Sequence, residues 1–189
     1  LRGRPLQRPE RDRRLAVIQD QPGRTMVFPG LNYLENLCFT MDHRIRSLWR
    51  SGRVKRGLRR AYAEWLGPDL LDRSVEELTE TERCELVYRR ILLQRPDVVF
   101  CVQPFRMADV AMRMSIWRLL EELLDRGVAV VILAVNLADS LSLADRLIRV
   151  RRGQPQEAFD RVHFNDLPAD APWRSLYRDV PDHRKEDLP

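Results

Sequence analysis

The sequence predicts an α/β fold in which a parallel β-sheet is crossed by helices and interrupted by a helical insert. Two observations carry this. Short β-branched apolar runs at 15–18, 98–102, 128–135 and 147–150 read as buried strands, and the segments between them repeat apolar residues at helical spacing. Composition agrees: 189 residues, 44% apolar and 32% charged, describe about one globular domain with a sizeable core.

The first 14 residues are rich in Arg and Pro and read as an extended lead-in. Leu15-Ala16-Val17-Ile18 is the first strand, and Gln19-Asp20-Gln21-Pro22-Gly23 turns the chain. Leu34, Leu37, Cys38, Met41, Ile45 and Leu48 share one face of a helix, and a second helix covers about 54–66, ending at Gly67-Pro68. These open an insert of about 34–95. Thr79 followed by Glu82 is a capping-box pattern, starting a helix with Leu86, Val87, Ile91 and Leu92 that stops before Pro96. The strand 98–102 follows, then a helix from Asp109 to about Arg126, a turn at Gly127, the strand 128–135, a helix over about 137–143 and a last strand, 147–150. The body therefore spans 15–153. Past Gly153 the chain is Pro/Asp-rich and reads as an extension over 154–189, anchored by Phe164, Trp173 and Tyr177.

Several function classes are disfavoured by composition. The longest apolar run, 127–135, is about nine residues, far short of the roughly 20 that cross a bilayer, so the chain reads as soluble without direct membrane insertion. Cys38, Cys84 and Cys101 have no CxxC spacing, and His43, His163 and His183 are scattered, which argues against a structural metal or a disulfide. The net charge of +5 rests almost wholly on arginine, Lys55 and Lys185 being the only lysines. The basic runs 2–14 and 44–60 are interspersed with acidic or apolar residues, which suits a solvated face better than nucleic-acid binding.

From about residue 15 to 154 the chain resembles the ATP-binding domain of ABC transporters, most of all the second nucleotide-binding half of the sugar-import subtype. Gln19, closing the first strand, matches the Q-loop glutamine, and Leu31-Asn32-Tyr33-Leu34-Glu35-Asn36-Leu37 resembles the opening of the helical subdomain. Residues 78–83, including Thr79, fall where the family has its LSGGQ-type signature, and Tyr88-Arg89-Arg90-Ile91-Leu92 resembles the arginine-bearing helix behind it. Residues 98–105 lie on the Walker B strand and its Asp-Glu-Pro-Thr ending, and Asp109 matches the D-loop aspartate. Residues 143–146 and 150–154 resemble the closing Ser/Ala-Asp-Arg and Arg-Gly pattern. The resemblance implies a partial P-loop NTPase-like sheet with a helical subdomain, ATP and Mg²⁺ as the family's cofactors, a second ABC domain as dimer partner and an integral membrane permease as docking partner. It places such a subunit in the cytoplasm, peripheral on the inner face of the cell membrane.

The same resemblance exposes departures. No GxxxxGK[ST] motif occurs, and only eighteen residues precede Gln19, so the chain is either a piece cut downstream of a P-loop or a protein that lacks one. Val102 replaces the aspartate that helps hold Mg²⁺, and hydrocarbon offers no lone pair to a hard cation. Gln103 replaces the glutamate that polarises water; an amide orients water but does not take its proton. Glu80 and Thr81 replace the two signature glycines, with Glu82 after them, and carboxylates there repel a triphosphate. Val135 replaces the switch histidine.

Simpler roles stand beside these. Gln19 and Asp109 also read as a loop amide and a helix N-cap, Thr79 with Glu82 as a plain capping box, and Val102 and Val135 as core residues of buried strands. The expectation is a subunit or fragment of a transporter ATPase, assigned to sugar import by its subtype resemblance, defective in hydrolysis, with no catalytic residue, no metal ligand and no ATP or Mg²⁺ bound by this chain alone. It would act as the structural or regulatory half of an ATPase pair, docking the permease through the helical insert. The alternative is an interaction module whose basic helical face binds an acidic protein or nucleic acid. A third reading restores nucleotide binding through a P-loop upstream.

Overall fold

The computed structural model describes residues 14–39, 48–134 and 138–166. The lead-in over 1–13, the distal part of the helix expected to reach Leu48, Val135, Trp173 and Tyr177 fall outside the described residues. The chain forms two units, Leu1–Leu133 and Ala134–Pro189.

In the first unit the strands are β1 (Leu15–Ile18), β2 (Val98–Val102) and β3 (Ala129–Leu133). Its helices are α1 (Pro22–Thr25), α2 (Tyr33–Cys38), α3 (Leu48–Leu66), α4 (Pro68–Asp72), α5 (Glu80–Gln94) and α6 (Val110–Asp125). The sheet order is β1-β2-β3 and both pairings are parallel, with Ile18 opposite Cys101 and Val102 opposite Leu133. Alternation sorts the side chains onto two faces: Ala16, Ile18, Val99 and Cys101 are buried, whereas Val17, Val131 and Leu133 are exposed. Helices α5 and α6 pack on one another and on β1 and β3 respectively. Because α5 and α6 pack on each other as well as on the sheet, they lie on one face of it, which accounts for the one-sided burial. Cys84 and Cys101 are buried thiols that desolvation pushes up to about 12.

The helical insert is built on paired caps. Asn32 accepts the Glu35 N–H at 2.8 Å, while the Glu35 carboxylate accepts the Asn32 N–H at 3.2 Å. Helix α3 starts at Leu48, earlier than the expected 54, because once nucleated a helix gains a hydrogen bond for each residue added and so extends back through Gly52 despite its poor propensity. It stops at Gly67, whose φ of 80° suits glycine, and Pro68 opens α4. Tyr33, Leu34, Leu37, Leu71, Val75, Leu78 and Leu86 form the core, with Leu58, Tyr62 and Leu66 of α3 against it. Fully buried Asn36 accepts from the Phe28 N–H at 2.8 Å and donates to the Phe28 carbonyl at 3.0 Å and the Leu31 carbonyl at 3.3 Å.

The second unit corrects one expectation. The segment 147–150, expected as a further strand of the parallel sheet, belongs to β4 (Arg146–Arg151), which pairs antiparallel with β5 (Gln154–Asp160) in a separate hairpin. Arg152 and Gly153 both have positive φ, 51° and 75°, the geometry of a two-residue turn that matches strand twist. The chain just past Gly153 therefore returns as a strand. Helix α7 (Ala138–Leu141) and Phe164 supply this unit's buried pair, Leu141 and Phe164, packed by Ala144, Leu147 and Phe159.

Replacing Asn36 with Leu should cost about 1–3 kcal/mol in urea unfolding, because the Phe28 amide loses its partner in a dry site. The capping hydrogen bond from Asn32, then Lys55, holds the Glu35 carboxyl below its usual value. A depressed folded value contributes stability above the unfolded value and loses it as pH falls through the folded one. The stability difference between wild type and Glu35→Gln should therefore be full near neutrality and close below the ordinary carboxylate range; a difference independent of pH contradicts this.

Candidate functional site

The register of the sheet brings the sequence-singled residues to its C-terminal edge. Val102 is the last residue of β2, the middle of the three strands, and Gln103 follows it; Gln19 follows the last residue of β1. Gln103 adopts φ 45°, and its backbone N–H donates to the Leu133 carbonyl at 2.8 Å. Its carbonyl accepts from the Arg106 N–H at 3.0 Å, and Met107 is also left-handed at φ 61°. Two non-glycine residues in this region within five positions mark a tightly wound, strained loop. Arg106 reaches Asp20 at 3.2 Å, tying this loop to the segment after Gln19.

Gln19 itself is exposed, with its N–H directed at the Met26 sulfur at 3.3 Å. The segment after it is held hard against α5. A Cβ on Gly23 would meet the Arg83 Cβ, the Cys84 nitrogen and the Glu80 carbonyl, each at 3.2 Å, so only glycine passes here without displacement. Arg90, 3% exposed, donates to the Met26 carbonyl and lies 5.0 Å over the Phe28 ring. Burial lowers its pKa to about 10, well above neutrality, so the cation persists. Phe28 stacks on Phe39 with ring centroids 3.8 Å apart.

The first turn of α5 satisfies itself. Thr79 accepts the Glu82 N–H at 3.2 Å, and the Glu82 carboxylate accepts the Thr79 N–H at 2.7 Å. Glu80 pairs with Arg83 at 3.2 Å and Arg24 at 3.5 Å, and Glu82 with Arg73 at 3.3 Å. Three guanidiniums thus face two carboxylates, so bare repulsion of an anion is weaker than the acidic residues alone imply. The N–H groups of Thr79 and Glu82 already have partners within the turn, and Thr81 is partly buried beside them. Asp109 caps α6, accepting the Met112 N–H at 2.8 Å.

The fold thus brings together the Gln19 segment, the Gln103 loop and the α5 turn carrying Thr79, Glu80 and Thr81. Val135 lies outside the described residues. The strand tip offers a valine and an amide, and neither supplies a carboxylate to a hard cation. Sequence reasoning missed Arg24, Arg73, Arg106 and the burial of Arg90, whose partners lie up to 86 residues away. Only the Pro22-Gly23 turn hinted at the close approach to α5.

Replacing Arg90 with Met keeps much of the volume but removes the donor to the Met26 carbonyl. Amide hydrogen exchange over 22–28 should quicken by about tenfold or more, the signature of roughly 1.5–3 kcal/mol of lost local stability, with α6 little changed. Equal acceleration in both would mean that Arg90 supports the whole unit and not this segment.

No family model matches the chain. A putative ribose/galactose/methyl galactoside import ATP-binding protein of Halalkalibacterium halodurans is 28% identical over 144 residues, 75% of this chain and 28% of the relative. The molybdenum import ATP-binding protein ModC of Mycobacterium tuberculosis is 30% identical over 147 residues, 75% of this chain and 38% of the relative. Among solved structures, cbiO1 from Clostridium perfringens, part of an ABC transporter complex, aligns with TM-score 0.64 at 14% identity, over 79% of this chain and 58% of that one. The chain spans about a third of the length of the two curated relatives. Its relatives and structural neighbours are ABC transporter ATP-binding proteins, and its fold is that of part of an ABC ATPase domain.

Proposed function

We propose that this chain is part of an ATP-binding subunit of an ABC importer and that it forms the non-hydrolysing, structural or regulatory half of an ATPase pair. The observation that carries the reading is the tip of β2: Val102 ends the middle strand, and Gln103 is wound into a left-handed turn with its N–H committed to Leu133. In the proposed assignment, Val102 and Gln103 occupy the metal and water-activating positions, Glu80 and Thr81 the signature glycines, Val135 the switch position, and Gln19, Thr79 and Asp109 the retained ones. Neither a branched hydrocarbon nor a neutral amide supplies the missing chemistry. ATP and Mg²⁺ would then be held by another domain or by a segment outside these residues.

Two features support a partnered role. Met107, Val110 and Met114 are 82%, 79% and 53% exposed beside Asp109, an apolar patch suited to a second ATP-binding domain. Arginine-rich α3 and the rest of the insert offer a surface for an integral membrane permease, which would place the subunit peripherally on the cytoplasmic face of the membrane. No helix among the described residues is long and apolar enough to cross a membrane. A sugar cargo is supported by the ribose/galactose relative, while the molybdenum relative supports the broader class of solute import.

The test is turnover by the purified chain in Mg-ATP, with Asp109→Asn as control because asparagine keeps the α6 cap while removing the charge. Release of phosphate should equal the control, and Val102→Asp with Gln103→Glu should not raise it. Hydrolysis above the control removes the assignment. Co-purification with a permease is expected on co-expression, whereas steeply salt-dependent binding to RNA or DNA instead of a permease would favour the interaction-module reading.

A further inference from the structure

Helix α3 divides its cations between two sides. Lys55 reaches Glu35 on α2 at 3.1 Å, and Arg59 forks onto Asp72 of α4, with one contact at 2.8 Å. These pairs lie on the side where Leu58, Tyr62 and Leu66 meet the core. The opposite side carries Arg53, Gly57, Arg60 and Glu64, spaced four, three and four residues apart so that they form one row along the helix, with Arg56 beside it. All five are exposed. Among the described residues no ion pair engages Arg53, Arg56 or Arg60; Arg56 donates only to the Gly52 carbonyl of its own helix at 3.2 Å.

The glycines make this face unusual. Gly52 and Gly57 lie inside an exposed helix, neither has positive φ, and a Cβ on either would meet nothing within 4 Å. Glycine in a helix interior costs about 1 kcal/mol relative to alanine, and no packing among the described residues offsets that. What Gly57 provides is a bare stretch of backbone between Arg53 and Arg60, roughly 10 Å apart along the helix at 1.5 Å per residue.

We propose that this face of α3 docks an acidic helix of a protein partner, whose backbone closes on Gly57 while carboxylates two turns apart meet Arg53 and Arg60. Guanidinium is suited to such pairing because its planar fork matches a carboxylate at two points. A lipid headgroup layer is fluid and gains nothing from a missing Cβ, and a polyphosphate would have to pass Glu64 in the same row. The rigid backbone of a helix gains from both features: it approaches at glycine, and a cation on it meets Glu64. The inference rests on the transporter reading only where the partner carrying the helix is the permease; the peptide test reads the contact itself.

The probe is an alanine-based helical peptide with glutamates seven residues apart and a lysine placed to meet Glu64, compared with a scrambled peptide of the same composition by fluorescence anisotropy at low salt. The ordered peptide should bind the 189-residue chain about tenfold more tightly than the scramble, and Arg53→Ala or Arg60→Ala should each weaken it about fivefold. Gly57→Leu is the decisive variant. It should raise the thermal midpoint, since leucine is the better helix former, while weakening the ordered peptide at least tenfold. Equal binding of both peptides, or indifference to Gly57→Leu, overturns the proposal. So does stronger arginine-dependent binding to phosphatidylserine vesicles or duplex DNA than to the peptide, which would assign the stripe to a lipid surface or to nucleic acid.

Discussion

Burying an arginine without a charge partner is expensive unless its donors are met, and the first unit is arranged around that requirement at Arg90. Helix α5 buries Leu86 to Leu92 almost continuously, and its side chains meet β1, α1, α2 and α6. Within that run the Arg90 guanidinium draws in the Met26 carbonyl and the Phe28 ring, while Nη1 has no hydrogen-bond partner among the described residues. The segment from Pro22 to Phe28 has little regular structure of its own. It keeps its path because Gly23 permits contact with α5, Arg90 captures its middle and Asn36 captures its end. The connection from the sheet to the helical insert is thereby fixed at three points along its length.

The sheet edge is held by connections between its loops and strands. The β2 tip ends in hydrocarbon, the next amide is tied to β3, and Arg106 bridges back to Asp20. Exposed ion pairs of this type contribute little stability individually, so Arg106 with Asp20 matters more for the relative placement of two loops than for the fold. The left-handed Gln103 and Met107 hold the loop in a shape that presents Met107 outward next to Val110 and Met114. Strain of that sort persists only where the surrounding structure over-determines it, here through the sheet register and the α6 cap at Asp109.

Much of the layout was legible from residue order. The strand at 15–18, the Thr79–Glu82 cap, the stop at Pro96 and the helix from Asp109 each rest on local chemistry confined to a few neighbours, and each lies where those signals put it. Positions whose state depends on distant partners were not legible. Strand character at 147–150 was visible, but its antiparallel pairing was not, because the Arg152-Gly153 turn lacks the usual Asn-Gly or Asp-Gly signal. The acidic signature-like turn read as repulsive because Arg24 and Arg73, its cations from other elements, are far away in the chain or on a preceding loop.

By itself the sequence determined the strands at 15–18 and 98–102, the helices that start at the Thr79 and Asp109 caps, and that the residues ending β2 are a valine and a glutamine without a carboxylate; hydrophobic period and side-chain identity suffice for these. Tertiary structure alone decided that Arg90 is buried, that the Thr79 and Glu82 N–H groups are occupied, that Ala16, Ile18, Val99 and Cys101 face the packed side of the sheet, and that among the described residues no ion pair engages Arg53 or Arg60 where Lys55 and Arg59 have one. The physical reason is that burial and ion pairing are properties of what the fold brings alongside a residue. A local pattern carries no record of that.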